Sequence, residues 1–240
     1  MRTIAILNYN IGNLASVKNA FKSIGAEAEI VSEAGEIRRF DKLILPGVGA
    51  FENAMRHLEE TGAKEAVLDF VANGKDMLGI CLGMQLLFDK SYEFGTHLGL
   101  GLIAGEVVKF GDSTKLDSAD FIDSANPDSA INLTNLDSAT SATTSQNPHN
   151  FTRKIPHMGW NAIDICRDSP LLRGIPNGAY LYFVHSYYVR AENPADTIAS
   201  CDYGDRFSAI VGRENVYGIQ PHPEKSSSVG LKILKNFVDL

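Results

Sequence analysis

The sequence predicts one α/β domain over residues 1–240, built on an open, mostly parallel sheet with helices on both faces and an antiparallel extension. Short apolar runs alternate with segments whose apolar residues recur every three or four positions, and a helix is the usual crossover between parallel strands. A length of 240 residues suits a single core, and a chain with 44% hydrophobic and 21% charged residues is typically globular.

The first third of the chain alternates strands and helices. Strands are predicted at 3–7, 28–31, 42–45 and 77–80, and helices at about 14–24, 51–58, 64–72 and 82–88. Asn13 is placed to cap the first helix, and Gly25 can end it in a left-handed conformation. This alternation is what predicts the parallel part of the sheet.

After Gly101 the pattern changes to closely spaced strands. They are predicted at 102–110, 160–165, 179–183, 187–190, 197–201, 207–212 and 216–220. We expect them to form the antiparallel extension, and the apolar stripe from Val229 to Val238 predicts a final helix beginning near Ser227.

One segment, at about 111–152, differs from the rest. It consists mostly of Asp, Ser, Ala, Asn and Thr, and its six Asp and one Lys carry five of the seven net negative charges of the chain. Such a composition buries too little apolar surface to offset the entropy of ordering, so we expect a flexible acidic insert.

Composition excludes several classes of function. A formal charge of -7 argues against a nucleic-acid surface, and no apolar run approaches the ~18 residues of a membrane span, so we expect a cytoplasmic protein that binds neither nucleic acid nor membrane. The three cysteines are widely spaced and form no CxxC pair, which argues against a disulfide scaffold or a zinc site.

Cys81 is the first candidate for chemistry. It lies between Gly79 and Gly83, where a predicted buried strand meets a helix, and this is the setting of a nucleophile elbow. The helix N-terminus beyond it favours a thiolate. Taken alone, the pattern is equally consistent with a buried structural cysteine.

His222 and Glu224 are the second candidates. They follow the last predicted strand, and in an extended chain residues two apart point to the same side. A carboxylate held against an imidazole raises its basicity, as a base serving a thiol requires. Without the cysteine, a turn capping the final helix would be the favoured interpretation.

The third candidate is the Pro-Gly-Val-Gly turn at 46–49. Its two glycines let the backbone N–H groups of Val48 or Gly49 turn into a cleft, where one of them and the N–H of Leu82 can hold an oxyanion. As a lone feature, a plain tight turn explains this sequence more often.

These motifs together resemble those of class I, triad-type glutamine amidotransferases. The matching blocks are PGVGAF at 46–51, GICLGMQLLF at 79–88 and HPEKS at 222–226. The resemblance implies that Cys81 attacks the side-chain amide of glutamine while His222, oriented by Glu224, protonates the leaving ammonia.

Three further blocks, at 9–17, 156–161 and 182–187, resemble the glutaminase subunits of imidazole glycerol phosphate synthase. PHMGWN at 156–161 is the most discriminating of them, and the likeness covers nearly the whole chain outside the insert. By this resemblance Gly47, Gln85, Ser186 and Tyr187 contact the substrate glutamine.

The same resemblance implies a partner. The ammonia would pass to a cyclase subunit, a (β/α)8 barrel forming a heterodimer with this chain, which makes imidazole glycerol phosphate and an aminoimidazole carboxamide ribotide in histidine biosynthesis. No metal or organic cofactor is implied. Asn13, Met158, Trp160 and Lys225 are the predicted partner-facing residues, although a lone Trp more often belongs to a core.

The sequence departs from the family pattern in two places, and two alternatives stay open. Pro221 stands where the family usually has a bulky apolar residue, and Asn8 and Asn10 replace an Asp and a Gly. One alternative is a paralogous glutaminase, since paralogues that resemble this subunit closely supply ammonia to sugar-modifying synthases. The other, suggested by Pro221 and the insert, is a non-catalytic subunit that stabilises a synthase.

Overall fold

A computed structural model of the chain describes residues 2–10, 12–112 and 152–240, so residues 113–151 of the predicted insert lie outside the described residues. The strands are β1 Ile4–Leu7, β2 Ala28–Val31, β3 Lys42–Gly47, β4 Asp76–Cys81, β5 Phe88–Ser91, β6 His97–Leu98, β7 Ile103–Lys109, β8 His157–Ala162, β9 Asp164–Ile165, β10 Tyr180–His185, β11 Tyr187–Ala191, β12 Thr197–Asp202, β13 Arg206–Arg213 and β14 Val216–Ile219. The α-helices are α1 Leu14–Ser23, α2 Phe51–Glu60, α3 Ala63–Ala72, α4 Leu82–Gln85 and α5 Ser227–Val238.

The central sheet has eight strands in the order β2-β1-β3-β4-β14-β13-β12-β9. The first five strands are parallel to one another. The last three extend the sheet in antiparallel fashion. The predicted fold class, a mostly parallel sheet with an antiparallel extension, is confirmed.

Helices cover both faces of the parallel half. Along β1, Ile4 and Ile6 belong to the core that also contains residues of α1 and α5, while Ala5 and Leu7 belong to the core shared with α2 and α3. Strands buried on both faces are apolar at every position, which is why these segments read as continuous apolar runs.

The start of the chain folds as its capping residues predict. The Asn13 side chain accepts a hydrogen bond from the backbone N–H of Ser16 at 3.3 Å, and Gly25 has φ of 75° just beyond the end of α1. These two residues fix where α1 begins and ends.

The predicted helix over 82–88 is wrong in its second half. α4 ends at Gln85 and β5 begins at Phe88. The carbonyls of Leu86 and Leu87 accept hydrogen bonds from Leu100 and Leu102, each at 2.8 Å, instead of continuing the helical pattern. Tertiary hydrogen bonding therefore overrides a local sequence that suits a helix.

The expectation that all the later strands extend one sheet is also wrong in part. β10 and β8 form an antiparallel ribbon, in which Val184 lies opposite Met158 and Tyr182 opposite Trp160. β11, β7, β5 and β6 form a separate four-stranded sheet. Within the described residues, no helix is both long and apolar enough to cross a bilayer.

Candidate active site

Three neighbouring strands bring the predicted site residues to one edge of the sheet. β3, β4 and β14 are adjacent and parallel, with Gly47 level with Cys81 and Ile219 level with Ile80. Their carboxyl ends therefore meet, as ligand sites in such sheets require. Cys81, His222 and Val48 line one cavity of about 300 Å³ at this edge.

Cys81 lies at a sharp turn between β4 and α4. Its backbone angles, φ of 55° and ψ of −111°, lie outside the regions that residues other than glycine normally adopt. A Cβ on Gly83 would lie 1.8 Å from the carbonyl oxygen of Leu45, and one on Gly79 would lie 2.5 Å from the oxygen of Gly83. Both glycines are thus required by close backbone contact, and the predicted elbow geometry is confirmed.

His222 and Glu224 are in direct contact. The ring Nδ1 of His222 lies 2.8 Å from Oε1 of Glu224, and their side chains are only 5% and 2% exposed. The predicted reason for this contact, an extended chain in which residues two apart point to the same side, is wrong, however. Residues 223–225 form a 3₁₀ turn instead. The carboxylate reaches the ring across that turn.

Ser226 holds this turn in place, a role that was not predicted. Its hydroxyl donates to the carbonyl oxygen of His222 at 2.6 Å and accepts from the backbone N–H of Tyr182 at 2.9 Å. The N–H of His222 in turn donates to the carbonyl oxygen of Tyr182 at 2.8 Å. The histidine is therefore fixed to β10 on one side and to α5 on the other.

The surroundings of His222 favour its charged form. Burial lowers the pKa of the ring, but the interactions with Cys81 and Glu224 outweigh burial and raise the pKa to about 10. With Nδ1 on Glu224, Nε2 is the ring nitrogen that remains available to Cys81, since it has no hydrogen-bond partner among the described residues. Such an arrangement stabilises a thiolate–imidazolium pair.

Two buried glutamines connect the nucleophile to the cavity wall. Gln85, which the sequence predicted to bind substrate, donates through Nε2 to the carbonyl oxygen of Tyr187 and to Oε1 of Gln220, both at 3.0 Å. Gln220 donates through its own Nε2 to Sγ of Cys81 at 3.6 Å. The sequence analysis assigned no role to Gln220, although its place at a strand end beside the motif was visible.

The cavity wall contains predicted and unpredicted residues. Leu82, Gly49, Gln85, Ser186 and Tyr187 all line it, as predicted, and so do Glu93, Val184 and His185, which were not predicted. Glu93 belongs to none of the sequence motifs and lies in the irregular segment between β5 and β6. Burial raises the pKa of its carboxyl, although the backbone N–H of Phe51 donates to it at 2.6 Å.

Gly47 has a packing role rather than a place in the wall. A Cβ there would lie 2.9 Å from the backbone nitrogen of Gly83, from Cβ of Leu82 and from the hydroxyl of Tyr9. The absence of a side chain lets β3 approach α4 closely, and the cavity lining on this strand begins at Val48. The predicted contact between Gly47 and the substrate does not follow from this position.

His185 joins the cavity to a second buried histidine. Its Nε2 lies 3.0 Å from Nδ1 of His157, and its Nδ1 lies 2.8 Å from the carbonyl oxygen of Tyr187. Burial lowers the pKa of His185 to about 3 and that of His157 to about 4. Both rings are therefore neutral at physiological pH, and Nδ1 of His185 is the donor to Tyr187.

The predicted partner-facing residues all lie on the surface. Met158 is 61% exposed and Trp160 is 52% exposed, so the interpretation of Trp160 as a core residue is wrong. Asn13 and Lys225 are exposed as well. Met158 and Trp160 project from β8, whose partner strand β10 carries Val184 and His185 of the cavity wall.

The departures from the family pattern do not disturb the site. Asn10 adopts φ of 66°, a left-handed conformation that Asn tolerates better than most residues, which explains how it can replace a Gly. Pro221 is buried beside His222, which keeps its contact with Glu224.

Comparison with known proteins defines the class first. The family model described as "Glutamine amidotransferase class-I" matches residues 5–240. A chain of the PurLQS structure from Thermotoga maritima has a TM-score of 0.66 at 16% identity, covering 100% of this chain and 99% of that one, and thus shares the fold. The chain belongs to the class-I glutamine amidotransferases.

Relatives with higher sequence identity indicate which group within this class the chain resembles. The imidazole glycerol phosphate synthase subunit HisH of Wolinella succinogenes is 47% identical over 99% of both chains. The HisH subunit of Sulfurimonas denitrificans is 46% identical over 98% of this chain and 96% of its own, and that of Helicobacter hepaticus is 41% identical over 99% and 98%. Within the class, the chain therefore groups with the HisH subunits.

Proposed function

We propose that this chain hydrolyses glutamine to glutamate and ammonia and passes the ammonia to a cyclase subunit, as part of imidazole glycerol phosphate synthase in histidine biosynthesis. The observation that carries the proposal is that Cys81 and His222 line one cavity, while the Glu224 carboxylate lies 2.8 Å from Nδ1 of the His222 ring. The names of the HisH relatives support the choice of pathway.

The reaction begins with attack of the Cys81 thiolate on the side-chain amide carbon of glutamine. The carbonyl π electrons move to oxygen, and the resulting oxyanion accepts hydrogen bonds from the N–H of Leu82 and from one N–H of Val48 or Gly49. As the C–N bond breaks, His222 gives its Nε2 proton to the leaving nitrogen, and ammonia departs. A thioester with Cys81 remains.

Hydrolysis of the thioester completes the cycle. Neutral His222 takes a proton from water, the hydroxide attacks the thioester carbon, and the C–S bond breaks to release glutamate and the thiolate. Glu224 keeps the ring in one orientation through both steps and stabilises its charged form.

The polar groups of the wall suit a free amino acid. A volume of about 300 Å³ lies at the lower end of the range for small-molecule sites. The Glu93 carboxylate is the acidic group of the described cavity wall, and we propose that it binds the α-ammonium group of glutamine. The backbone of Ser186 and Tyr187 then meets the α-carboxylate, and Gln85 orders that backbone through its bond to the carbonyl oxygen of Tyr187.

The exposed part of the β8–β10 ribbon is the proposed contact with the cyclase, which the resemblance implies to be a (β/α)8 barrel. Met158 lies opposite Val184, whose carbonyl oxygen is 3.9 Å from the Cys81 sulfur. A partner seated on Met158 and Trp160 would therefore be separated from the nucleophile by the β8–β10 ribbon, which the ammonia would have to pass. Asn13 and Lys225 are proposed to lie in the same contact.

The decisive experiment measures glutamate release by the purified chain mixed with its cyclase and a ribotide ligand. We expect activity that is lost in Cys81→Ala and retained in Cys166→Ala, which removes an exposed cysteine that does not line the cavity. A glutamine-analogue electrophile should label Cys81 and not Cys166. Absence of glutamate release with Cys81 intact would refute the proposal, and activation by a different synthase would redirect it to that recipient.

A further inference from the structure

Gln220 is a buried side chain that stands level with the nucleophile. It directly follows β14, and its backbone N–H donates to the carbonyl oxygen of Ala209 at 2.8 Å, so its position is fixed by the sheet. Because Ile219 is paired with Ile80, the next residue on each strand brings Gln220 beside Cys81. The side chain is 0% exposed, and a buried amide requires partners at both of its ends.

The hydrogen bonds determine which end of the Gln220 amide meets the sulfur. A backbone carbonyl such as that of Tyr187 can only accept, so Gln85 must present its NH₂ group to it. The same NH₂ group lies 3.0 Å from the Gln220 amide and can only donate, so Gln220 presents Oε1. Its Nε2 is therefore left to donate to Sγ of Cys81, at 3.6 Å.

We propose that Gln220 is a positioning residue, which donates an N–H to the Cys81 thiolate and ties the sulfur through Gln85 to the substrate-binding backbone at Tyr187. The inference rests on the proposed function, because it concerns the same nucleophile. The role of Gln220, a permanent hydrogen-bond donor to the sulfur, is one that neither His222 nor Glu224 fills.

The physical reason lies in what His222 must do during the reaction. His222 stabilises the thiolate while it carries a proton, and it gives that proton to the leaving ammonia. A neutral amide does not release its protons at any step, so Gln220 offers the sulfur a constant donor. A buried anion with a permanent donor is held in one place and remains ionised at lower pH than an anion without one.

The other end of the amide has a separate consequence. Oε1 of Gln220 occupies one of the two N–H donors of Gln85, while the carbonyl of Tyr187 occupies the other. Loss of this acceptor frees Gln85 to rotate, so the backbone that receives the substrate carboxylate becomes less ordered. A variant at Gln220 should therefore affect both the ionisation of Cys81 and the KM for glutamine.

The test uses the full chain with its cyclase and compares three variants. Gln220→Met keeps the length of the side chain and removes the amide. Gln85→Met removes the bond to Tyr187 but leaves the donor on the sulfur. Asn236→Leu is the matched control, because Asn236 is a buried amide that donates to the carbonyls of Leu171 and Arg173, in the core rather than at the cavity.

The readout is the rate at which iodoacetamide alkylates Cys81 as a function of pH, with the labelled site identified by mass spectrometry. In Gln220→Met we expect the midpoint to rise by roughly one pH unit, so that the alkylation rate at pH values below the wild-type midpoint falls about tenfold. We also expect a lower kcat and a higher KM. Gln85→Met should raise KM without moving the midpoint, and Asn236→Leu should change neither while lowering stability.

A midpoint in Gln220→Met that matches the wild type would overturn the inference, whatever happens to KM. If that variant does not fold, Gln220→Asn answers the same question, since it keeps an amide but withdraws it by one methylene. Alkylation of Cys81 can be measured even in a chain that does not hydrolyse glutamine. A shifted midpoint in a chain without glutaminase activity would refute the proposed function alone, and an unshifted midpoint in an active chain would refute this inference alone.

Discussion

Replacement of Glu224 by Gln tests the proposed mechanism most directly, because it keeps the shape of the side chain and removes one charge. The pKa of His222 rises from 6.5 to about 10 despite burial, owing to Cys81 and Glu224. At about 1.4 kcal/mol per pKa unit, this corresponds to roughly 5 kcal/mol in favour of the imidazolium. The two neighbours share that stabilisation.

The share of Glu224 can be estimated from its contact. Its Oε1 lies 2.8 Å from Nδ1 of His222, and a hydrogen bond to a charged group typically contributes about 1.5–3 kcal/mol. Loss of about 2 kcal/mol corresponds to roughly a 30-fold fall in kcat/KM near neutral pH. Since the imidazolium is also less stable, we expect the basic limb of the pH–rate profile to move to lower pH by roughly one to two units.

The assay is glutamate release in the presence of the cyclase, measured from pH 5.5 to 10. Glu106→Gln serves as the matched control, because Glu106 is also a partly buried carboxylate in an ion pair, with Arg190, but does not line the cavity. We expect its rate and profile to match the wild type. If Glu224→Gln stayed within twofold of the wild type across the profile while folded, the assignment of Glu224 would be wrong.

Three further predictions concern the elbow, the buried histidines and the partner surface. Gly83→Ala places a Cβ 1.8 Å from the oxygen of Leu45, so we expect a stability loss of roughly 1–3 kcal/mol and a large loss of activity as α4 shifts; a melt and a rate like those of the wild type would contradict this. His157 and His185 have pKa values of about 4 and about 3 in the folded chain, lowered by burial from 6.5, so their contribution to stability should be complete above pH 6.5 and lost as the pH falls. The expected slope in urea unfolding is up to about 1.4 kcal/mol per pH unit for each histidine, and His157→Phe should reduce it, whereas equal slopes in variant and wild type would argue against the reasoning. Trp160→Ala should weaken binding of the cyclase by about 2 kcal/mol in calorimetry while leaving the basal glutaminase rate unchanged, and an unaltered Kd would remove Trp160 from the interface.

Local sequence predicted the parallel half of the sheet well because each element there carries its own signal. The central strands are buried on both faces, so most of their positions are apolar, and the helices between them show a one-sided stripe. Asn13 marks the start of α1 through its side-chain hydrogen bond to Ser16, and Gly25 marks its end through a positive φ. The glycines at 79 and 83 were predicted for the same kind of reason, a contact between backbones that leaves no room for a Cβ.

The errors arose where a partner far along the chain decides the local conformation. The segment after Gln85 has the composition of a helix, yet the carbonyls of Leu86 and Leu87 bond to residues near 100 and the helix stops. The later strands have similar sequence patterns, and only their pairing separates the ribbon of β8 and β10 from the main sheet. Composition does not encode which strand pairs with which.

The site shows the same division in its side chains. Cys81, His222 and Glu224 were predictable because each lies in a motif whose spacing reflects its chemistry. The positions of Gln220 and Glu93 were not, since each depends on tertiary neighbours. Gln220 meets Cys81 and Gln85 only because β14 lies beside β4 in one register. A shift of that register by a single residue would turn the amide away from the sulfur and would also move His222, because both follow the same strand. The pairing of β14 with β4 is therefore the structural feature on which the whole site depends.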